Sequence, residues 1–423
     1  MSLGQRPTVT LREWKRLGPE VPEGAGLRGI QLSDADREML VRLESDSSLR
    51  VLELRQGLRV EIGPHIGSIS LSGVRLVVRP KLGLKQVLRM VAYALELGDL
   101  VLADHPIGVD VGEHGLIDLL GIALLRAAER LARGGLLPIY LEHVDDLSSP
   151  RGRIDVRHAA IHPRTGKLRC TFDDFTTDHT LNRLVAGGLR MAARVMDSSD
   201  LRLDLARSAE RLLGEMAPIA VTPDALRQVL ASLDRRSSHY RTALTLILLI
   251  NQGSRVQEQG AAGTTPVSGF LLNMNLVFER FLERWLREHS PPGFSVGGQE
   301  TRADVFAWLE NPGRWTQPTI RPDLVFRFRG AVVAVGDAKY KDRTENPPNS
   351  AELYQLVTYG LAYPIDGPRP VLLFHPLEPG KKVRPSTLAF APSGGGPQVR
   401  IQLVGVPIER LLEGSETAWW PVG

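Results

Sequence analysis

Residues 321–341, RPDLVFRFRGAVVAVGDAKYK, constrain this chain more than any other stretch. Leu324, Val325, Phe326, Phe328 and the run from Ala331 to Val335 are apolar, aromatic or β-branched, and Gly330 interrupts them, the pattern of two short antiparallel strands joined by a turn. Asp323 and Asp337 each stand seven residues from Gly330, so a hairpin symmetric about that glycine sets them opposite one another. Directly opposed Cβ atoms lie about 4.5–5.5 Å apart. Two carboxylates at that distance repel unless one is protonated or a divalent cation lies between them. Side chains alternate along a strand, which puts Lys339 on the face of Asp337. A cation-binding carboxylate pair beside an ammonium suits phosphodiester cleavage, although Asp and Lys on an edge strand also read as plain solvated residues.

The flanks add to the first reading. The run Phe270–His289 is patterned as a helix, with Leu271, Met274, Phe278, Phe281 and Trp285 on one wide apolar face. Glu279 lies nearly in line with Leu272 and Leu286, so its carboxylate emerges from a largely apolar stripe and calls for a partner, either a shared cation or Arg280 or Arg284. After the hairpin, Asn349 and Glu352 have capping-box spacing at the start of a helix reaching Tyr363. Gln355 and Tyr359, four apart, share one face of it. Lys341, two residues past Lys339, is expected on the same strand face, within reach of a phosphate.

Elsewhere the chain offers less chemistry. The segments from Leu49 to Pro80 alternate apolar and polar residues between glycines, as a small sheet or barrel does, and His65 has no partner at ligand spacing. A capped helical patch begins at Ser33, with Asp36 three residues on. Helical periodicity covers Leu84–Leu97, Leu116–Arg133, Leu201–Met216, Pro223–Leu233 and His239–Gln252, and Gly253–Gly263 reads as a linker. Arg151 and Arg153 flank Gly152 in a turn and either contact a phosphate or a partner's acidic face, or are merely solvated. Asp173, Asp174, Asp178 and His179 cluster, and capping of the following helix by Asp178 and Thr180 accounts for them more simply than a metal does. Last come the strand patterns PVLLFHP, STLAFAP and VRIQLVGV.

The fold expected is a multidomain α/β chain: a β-rich N-terminal domain over 1–110, a mainly helical middle region over 111–265, and a C-terminal mixed sheet with packed helices over 266–423. At 423 residues there is room for two or three cores. A net charge of +4 and a pI near 9.3 permit nucleic-acid contact. A single cysteine, Cys170, excludes a disulfide framework and a zinc finger and fits a reducing, cytoplasmic setting. No apolar stretch approaches a membrane span of about 18 residues. With no G-x-x-x-x-G-K-[ST] phosphate loop, the chain is not itself a nucleotide-driven motor.

Pro322-Asp323 followed by Asp337-Ala338-Lys339 matches the PD-(D/E)xK nuclease motif. Together with MNLVFERFLERWL (274–286), RPDLVF (321–326), GDAKYK (336–341) and LYQLVTYG (353–360), the chain resembles McrC, the nuclease subunit of McrBC modification-dependent restriction systems. RPKL (79–82), ARGGLLPIYLEHVDDLSSPRGRID (132–155) and CTFDDFTTDHTLNRL (170–184) extend the likeness from about residue 48 onward. Gln355 and Tyr359 resemble the QxxxY element of RecB-type nucleases.

The resemblance implies a restriction-endonuclease-like C-terminal domain and an Mg²⁺-dependent endonuclease, with Mn²⁺ able to substitute, cutting double-stranded DNA. Asp323, Asp337, Glu279 and the carbonyl of Ala338 would hold the metal, Lys339 would position or deprotonate the attacking water, and Gln355, Tyr359 and Lys341 would place water or phosphate. It also implies a hexameric McrB-like AAA+ GTPase as partner, engaged and stimulated by the N-terminal domain. Two alternatives stay open at this point: a non-catalytic regulator of an AAA+ ring, and a stand-alone RecB-like nuclease.

Overall fold

Asn273 decides where the site-bearing half of the chain turns helical. The expected helix over 270–289 begins four residues later, at Met274, and runs to Glu288, because Ser268–Asn273 is a strand. That strand pairs antiparallel with His65–Ser70, from Ser268 opposite Ser70 to Asn273 opposite His65. Asn273 then stays in extended backbone, and its side-chain oxygen accepts the Asn275 N–H at 3.0 Å, satisfying one of the amides a helix start leaves orphaned.

The computed structural model describes residues 7–45, 49–97, 115–157, 167–256 (without 215 and 218) and 268–422 (without 342, 344, 345, 366, 379, 382–385, 394, 417 and 418). The chain forms two units, one of Met1–Val111 with Arg255–Gly423, the other Gly112–Ser254.

In the first unit, the N-terminal strands make a three-stranded sheet, in the order Arg16–Leu17, Gly57–Ile62, Leu49–Leu54, and most of a five-stranded one. The order of the latter is Thr8–Arg12, Arg75–Arg79, His65–Ser70, Ser268–Asn273, Ser254–Val256, so part of the expected linker at 253–263 is a strand; its residues 257–263 lie outside the described residues. Ser33 and Asp36 form the expected reciprocal cap, Asp36 N–H to Ser33 Oγ at 3.2 Å and Ser33 N–H to Asp36 Oδ2 at 2.9 Å. The helix Leu84–Ala94 packs on Met274–Glu288, with Tyr93 edge-on to Phe281 at 5.4 Å.

The C-terminal sheet has six strands in the order Phe294–Gly298, Leu324–Phe328, Ala331–Ala338, Arg369–Pro376, Val399–Val406, Ser386–Phe390. Its second strand is antiparallel to both the first and the third, the third to fifth are parallel, and the sixth is antiparallel to the fifth. A parallel neighbour requires a crossover. The helix Ser350–Ala362 supplies it, started by the expected capping box of Asn349 and Glu352. Leu356 and Tyr359 join Val335, Val371, Val399 and Ile401 in one core, each such apolar side chain stabilising by about 1.5–3 kcal/mol when fully buried. The mixed sheet with packed helices is thus as expected.

The hairpin turn comprises two residues, Arg329 and Gly330, both at positive φ (49° and 88°), with Phe328 paired to Ala331. Continued unbroken, that register would set Asp323 against Gly336. A bulge between Phe326 and Arg327 advances it by one, so that Leu324 faces Gly336 and the next positions outward are Asp323 and Asp337. The symmetry about Gly330 therefore holds at the open end of the hairpin for a different reason than the one read from the sequence.

The second unit holds the helices Leu116–Gly134, Thr180–Ala193, Ser199–Leu213, Pro223–Ser232 and Arg241–Gly253. It also contains a sheet not expected from the pattern, Ile139–Leu147 and Arg153–Ile154 on either side of Leu168–Thr176. Among the described residues no helix is long and apolar enough to cross a membrane.

Gly67 sits at φ +136°, and a Cβ there would stand 2.0 Å from the carbonyl oxygen of Phe270. Gly67→Ala is expected to lower the unfolding free energy by about 2–3 kcal/mol, since both backbone conformation and strand contact oppose it. The urea midpoint of the purified chain measures this.

Candidate active site

Four elements converge around the open end of the hairpin. Asp323 directly precedes its strand, and its Oδ2 accepts the Ala338 N–H at 2.8 Å, tying the two carboxylate-bearing chain segments together. Asp337 is only 2 % exposed. Lys339 lies one residue past the strand end, its Nζ 3.0 Å from Asp337 Oδ2, and its backbone N–H donates to Phe374 O at 2.9 Å. Glu279 comes from Met274–Glu288, half-buried and close enough to feel both aspartates.

Burial and mutual repulsion set the electrostatics. Burial, then the Asp323 and Asp337 charges, push the Glu279 carboxyl up to about 7, against Lys339 and Arg280. Burial and Asp337 raise Asp323 to about 6, against the Ala338 N–H, Lys339 and Arg321. Burial raises Asp337 as well, with Lys339 opposing. For Lys339, burial favours loss of the proton, but Asp337, Asp323 and Glu279 outweigh it and hold the ammonium above its ordinary range.

The Gln355–Tyr359 face meets the site. Gln355 Nε2 donates to Tyr359 Oη at 2.8 Å, and Tyr359 O–H donates to the Arg321 carbonyl at 3.1 Å, two residues before Asp323. Lys341 departs from expectation. The strand ends at Ala338, the Lys341 N–H folds back to Lys339 O at 2.7 Å, and the Lys341 ammonium lies 5.6 Å from the centroid of the Trp14 ring. It does not continue the strand face of Lys339.

Three contributors carry no sequence signal. Asn275 Oδ1 accepts the Tyr340 N–H at 3.2 Å, and Trp14 Nε1–H donates to the Tyr340 carbonyl at 2.8 Å. Arg343, buried, pairs with Glu352 and donates to Pro347 O at 3.2 Å, fixing the chain that leaves the site. Only Glu352 was visible beforehand, as a cap.

Arg151 and Arg153 belong to the second unit. Arg151 lies 4.6 Å over the Phe172 ring and 3.3 Å from Asp174, while Arg153 is exposed on its short strand. Asp178 does not cap the following helix. It pairs with Arg183 (2.8 Å to Nη2), and His179, at the cap position, puts its Nε2 2.7 Å from Leu137 O.

Among the described residues no three His, Cys, Asp or Glu side chains already stand together as a metal cluster. The donor set nonetheless fits a hard cation. Mg²⁺ needs only one or two carboxylates and keeps several waters, and Asp323 and Asp337 are oxygen donors whose carboxyls burial raises, with Lys339 offsetting only part of that effect. Glu279 and the Ala338 carbonyl are the further oxygens nearby in the fold.

The model of the family described as McrBC 5-methylcytosine restriction system component matches residues 60–375, more than half of the chain. The Type IV methyl-directed restriction enzyme EcoKMcrBC of Escherichia coli (strain K12) is 22 % identical over 259 residues, covering 58 % of this chain and 72 % of that relative. A chain in an assembly of Thermococcus gammatolerans McrB AAA+ hexamers with bound McrC superposes with a TM-score of 0.60 at 18 % identity, over 96 % of this chain and 99 % of its own length. A chain of the Thermococcus gammatolerans McrBC complex matches at TM-score 0.48 and 19 % identity, over 67 % and 88 %.

Folded, both Glu279 and Asp323 keep protons that the unfolded chain releases. Their stabilising effect is therefore complete below the ordinary pKa and is lost as pH rises, from 4.5 to about 7 for Glu279 and from 3.8 to about 6 for Asp323. Glu279→Gln should raise the thermal midpoint in EDTA at pH 8 by roughly 1 °C, about 1 kcal/mol for a chain of this size, and leave it unchanged near pH 4. Scanning calorimetry at the two pH values reads the difference.

Proposed function

This chain is a McrC-like member of the McrBC restriction family, and from that premise we propose that it is the DNA-cleaving subunit, a PD-(D/E)xK endonuclease acting on double-stranded DNA. The observation that carries the proposal is the opposition of Asp323 and Asp337 across the hairpin, with the Lys339 ammonium 3.0 Å from Asp337. Glu279 on the preceding helix and the Gln355–Tyr359 face on the following one complete the constellation. A mixed sheet with one helix before the hairpin and one after it supports this reading.

Asp323 and Asp337, with Glu279 and the Ala338 carbonyl, would hold Mg²⁺ or Mn²⁺. The bound ion would supply a water of lowered pKa and an electrophilic contact to the scissile phosphate. Lys339, whose ammonium Asp337, Asp323 and Glu279 hold above its ordinary range against burial, would position or deprotonate the attacking water and offset charge building on the phosphoryl oxygens. Overall, the water oxygen bonds to phosphorus as one P–O bond breaks, and the proton that the water gives up is balanced by the one the departing oxygen takes on to leave as a hydroxyl. Tyr359 and Gln355 brace the backbone before Asp323, and Lys341 offers a phosphate contact beyond it. Arg151 and Arg153 are further contacts for a DNA backbone or a partner.

The partner we propose is a hexameric McrB-like AAA+ GTPase, bound through the N-terminal β-rich residues. The fold shared with a chain in the archaeal assembly of McrB hexamers with McrC supports this reading, and so does the lack of a phosphate loop here.

Asp337→Ala and Lys339→Ala should each abolish plasmid cleavage, by at least about a thousandfold, while leaving partner binding and stimulation of its GTP hydrolysis intact. Retained Mg²⁺-dependent cleavage in both variants would overturn the assignment.

A further inference from the structure

Tyr340 directly follows Lys339, and residues distant in the chain hold both of its peptide groups. Its N–H is bonded to Asn275 at 3.2 Å and its carbonyl to the Trp14 indole at 2.8 Å. Its ring is fully buried, 5.9 Å from Phe278 between centroids, with the Lys81 ammonium 5.5 Å from the ring centre.

The Trp14 loop is fixed in its turn. Glu13 and Trp14 donate their N–H groups to Arg79 O and Gly63 O, each at 3.2 Å. The Glu13 carboxylate, 1 % exposed, accepts the Lys81 N–H at 2.6 Å. Trp14 itself adopts φ 60°, a left-handed conformation that costs a non-glycine residue about 1–3 kcal/mol. Yet Trp14 is 37 % exposed, with Lys81 and Lys341 ammonium groups 6.0 and 5.6 Å from its ring. A core-packing role does not account for a strained, substantially exposed tryptophan whose indole N–H is spent on one particular carbonyl.

That carbonyl lies where the sheet stops. Strand pairing ends with Ala338 opposite Phe374, and the Lys339 N–H to Phe374 O bond is the last the sheet provides. Past it, Asn275 and Trp14 take over. We propose that Trp14 is a positioning residue for Lys339: the N-terminal sheet grips the Tyr340 carbonyl through the indole N–H and so sets where the Lys339 ammonium meets Asp337. This inference rests on the hydrolytic reading above and extends the site to a residue of the N-terminal sheet region.

Trp14→Phe keeps an aromatic ring beside the two lysines and deletes the N–H donor. In the full chain assembled with its AAA+ partner, single-turnover plasmid cleavage at saturating DNA should slow on the order of tenfold, while KM for DNA stays within about twofold. The thermal midpoint and GTPase stimulation should stay unchanged. Asn275→Ala, which removes the other grip, should show the same signature. Wild-type rates in both variants, or rate losses that follow falls in thermal midpoint, overturn the proposal. Asp337→Ala run alongside separates the two readings: if it cuts DNA, the hydrolytic reading fails, and if it is inactive while Trp14→Phe cuts normally, only the role of Trp14 fails.

Discussion

Repulsion between two buried carboxylates is the constraint on which the rest of this site depends. Asp323 and Asp337 cannot both be ionised in so little water without nearby positive charge, and the fold meets that demand only in part. Lys339 neutralises Asp337, and the Ala338 amide gives Asp323 one hydrogen bond. Glu279 then adds a third acid to the same region. A fold optimised for stability alone would not place it there. The residual negative potential is the driving force for cation binding in the proposed mechanism, and it explains why so many surrounding groups are occupied in holding the backbone still.

Much of this was legible beforehand because it is local. The hairpin, the Asn349–Glu352 cap, the Gln355–Tyr359 face and the emergence of Glu279 from an apolar stripe all follow from periodicities of two and 3.6 residues. Local pattern also misled. Leu271 and Leu272 fit the helical stripe but belong to a strand, since pairing with His65–Ser70 outweighs helix propensity. Lys341 fits a strand alternation that stops three residues earlier. The contacts of Trp14 and Asn275 with Tyr340 span 326 and 65 residues, and no spacing rule reports pairings of that kind.

Those distant contacts change how the N-terminal strands are understood. They form one sheet of their own and share a second with Ser268–Asn273, a strand that runs without a break into the helix that carries Glu279. The Met274 N–H donates to Pro64 O at 2.7 Å at that junction, and Arg89 donates to Leu412 O at 2.8 Å on another flank. The proposed chemistry therefore rests on a frame built from both ends of the chain.

The bulge between Phe326 and Arg327 has a consequence for how such a hairpin can vary. Because side chains alternate, a single residue added or lost within either paired strand between Asp323 and Asp337 turns one carboxylate from the site toward the opposite face. Length changes within the paired strands are thus restricted to even numbers, or to odd ones that create or remove a bulge at the same time, whereas the two-residue turn at Arg329 and Gly330 can lengthen without reversing either face. Among related chains an odd change in the spacing between the two aspartates should mark either an altered turn length or a change in bulge number.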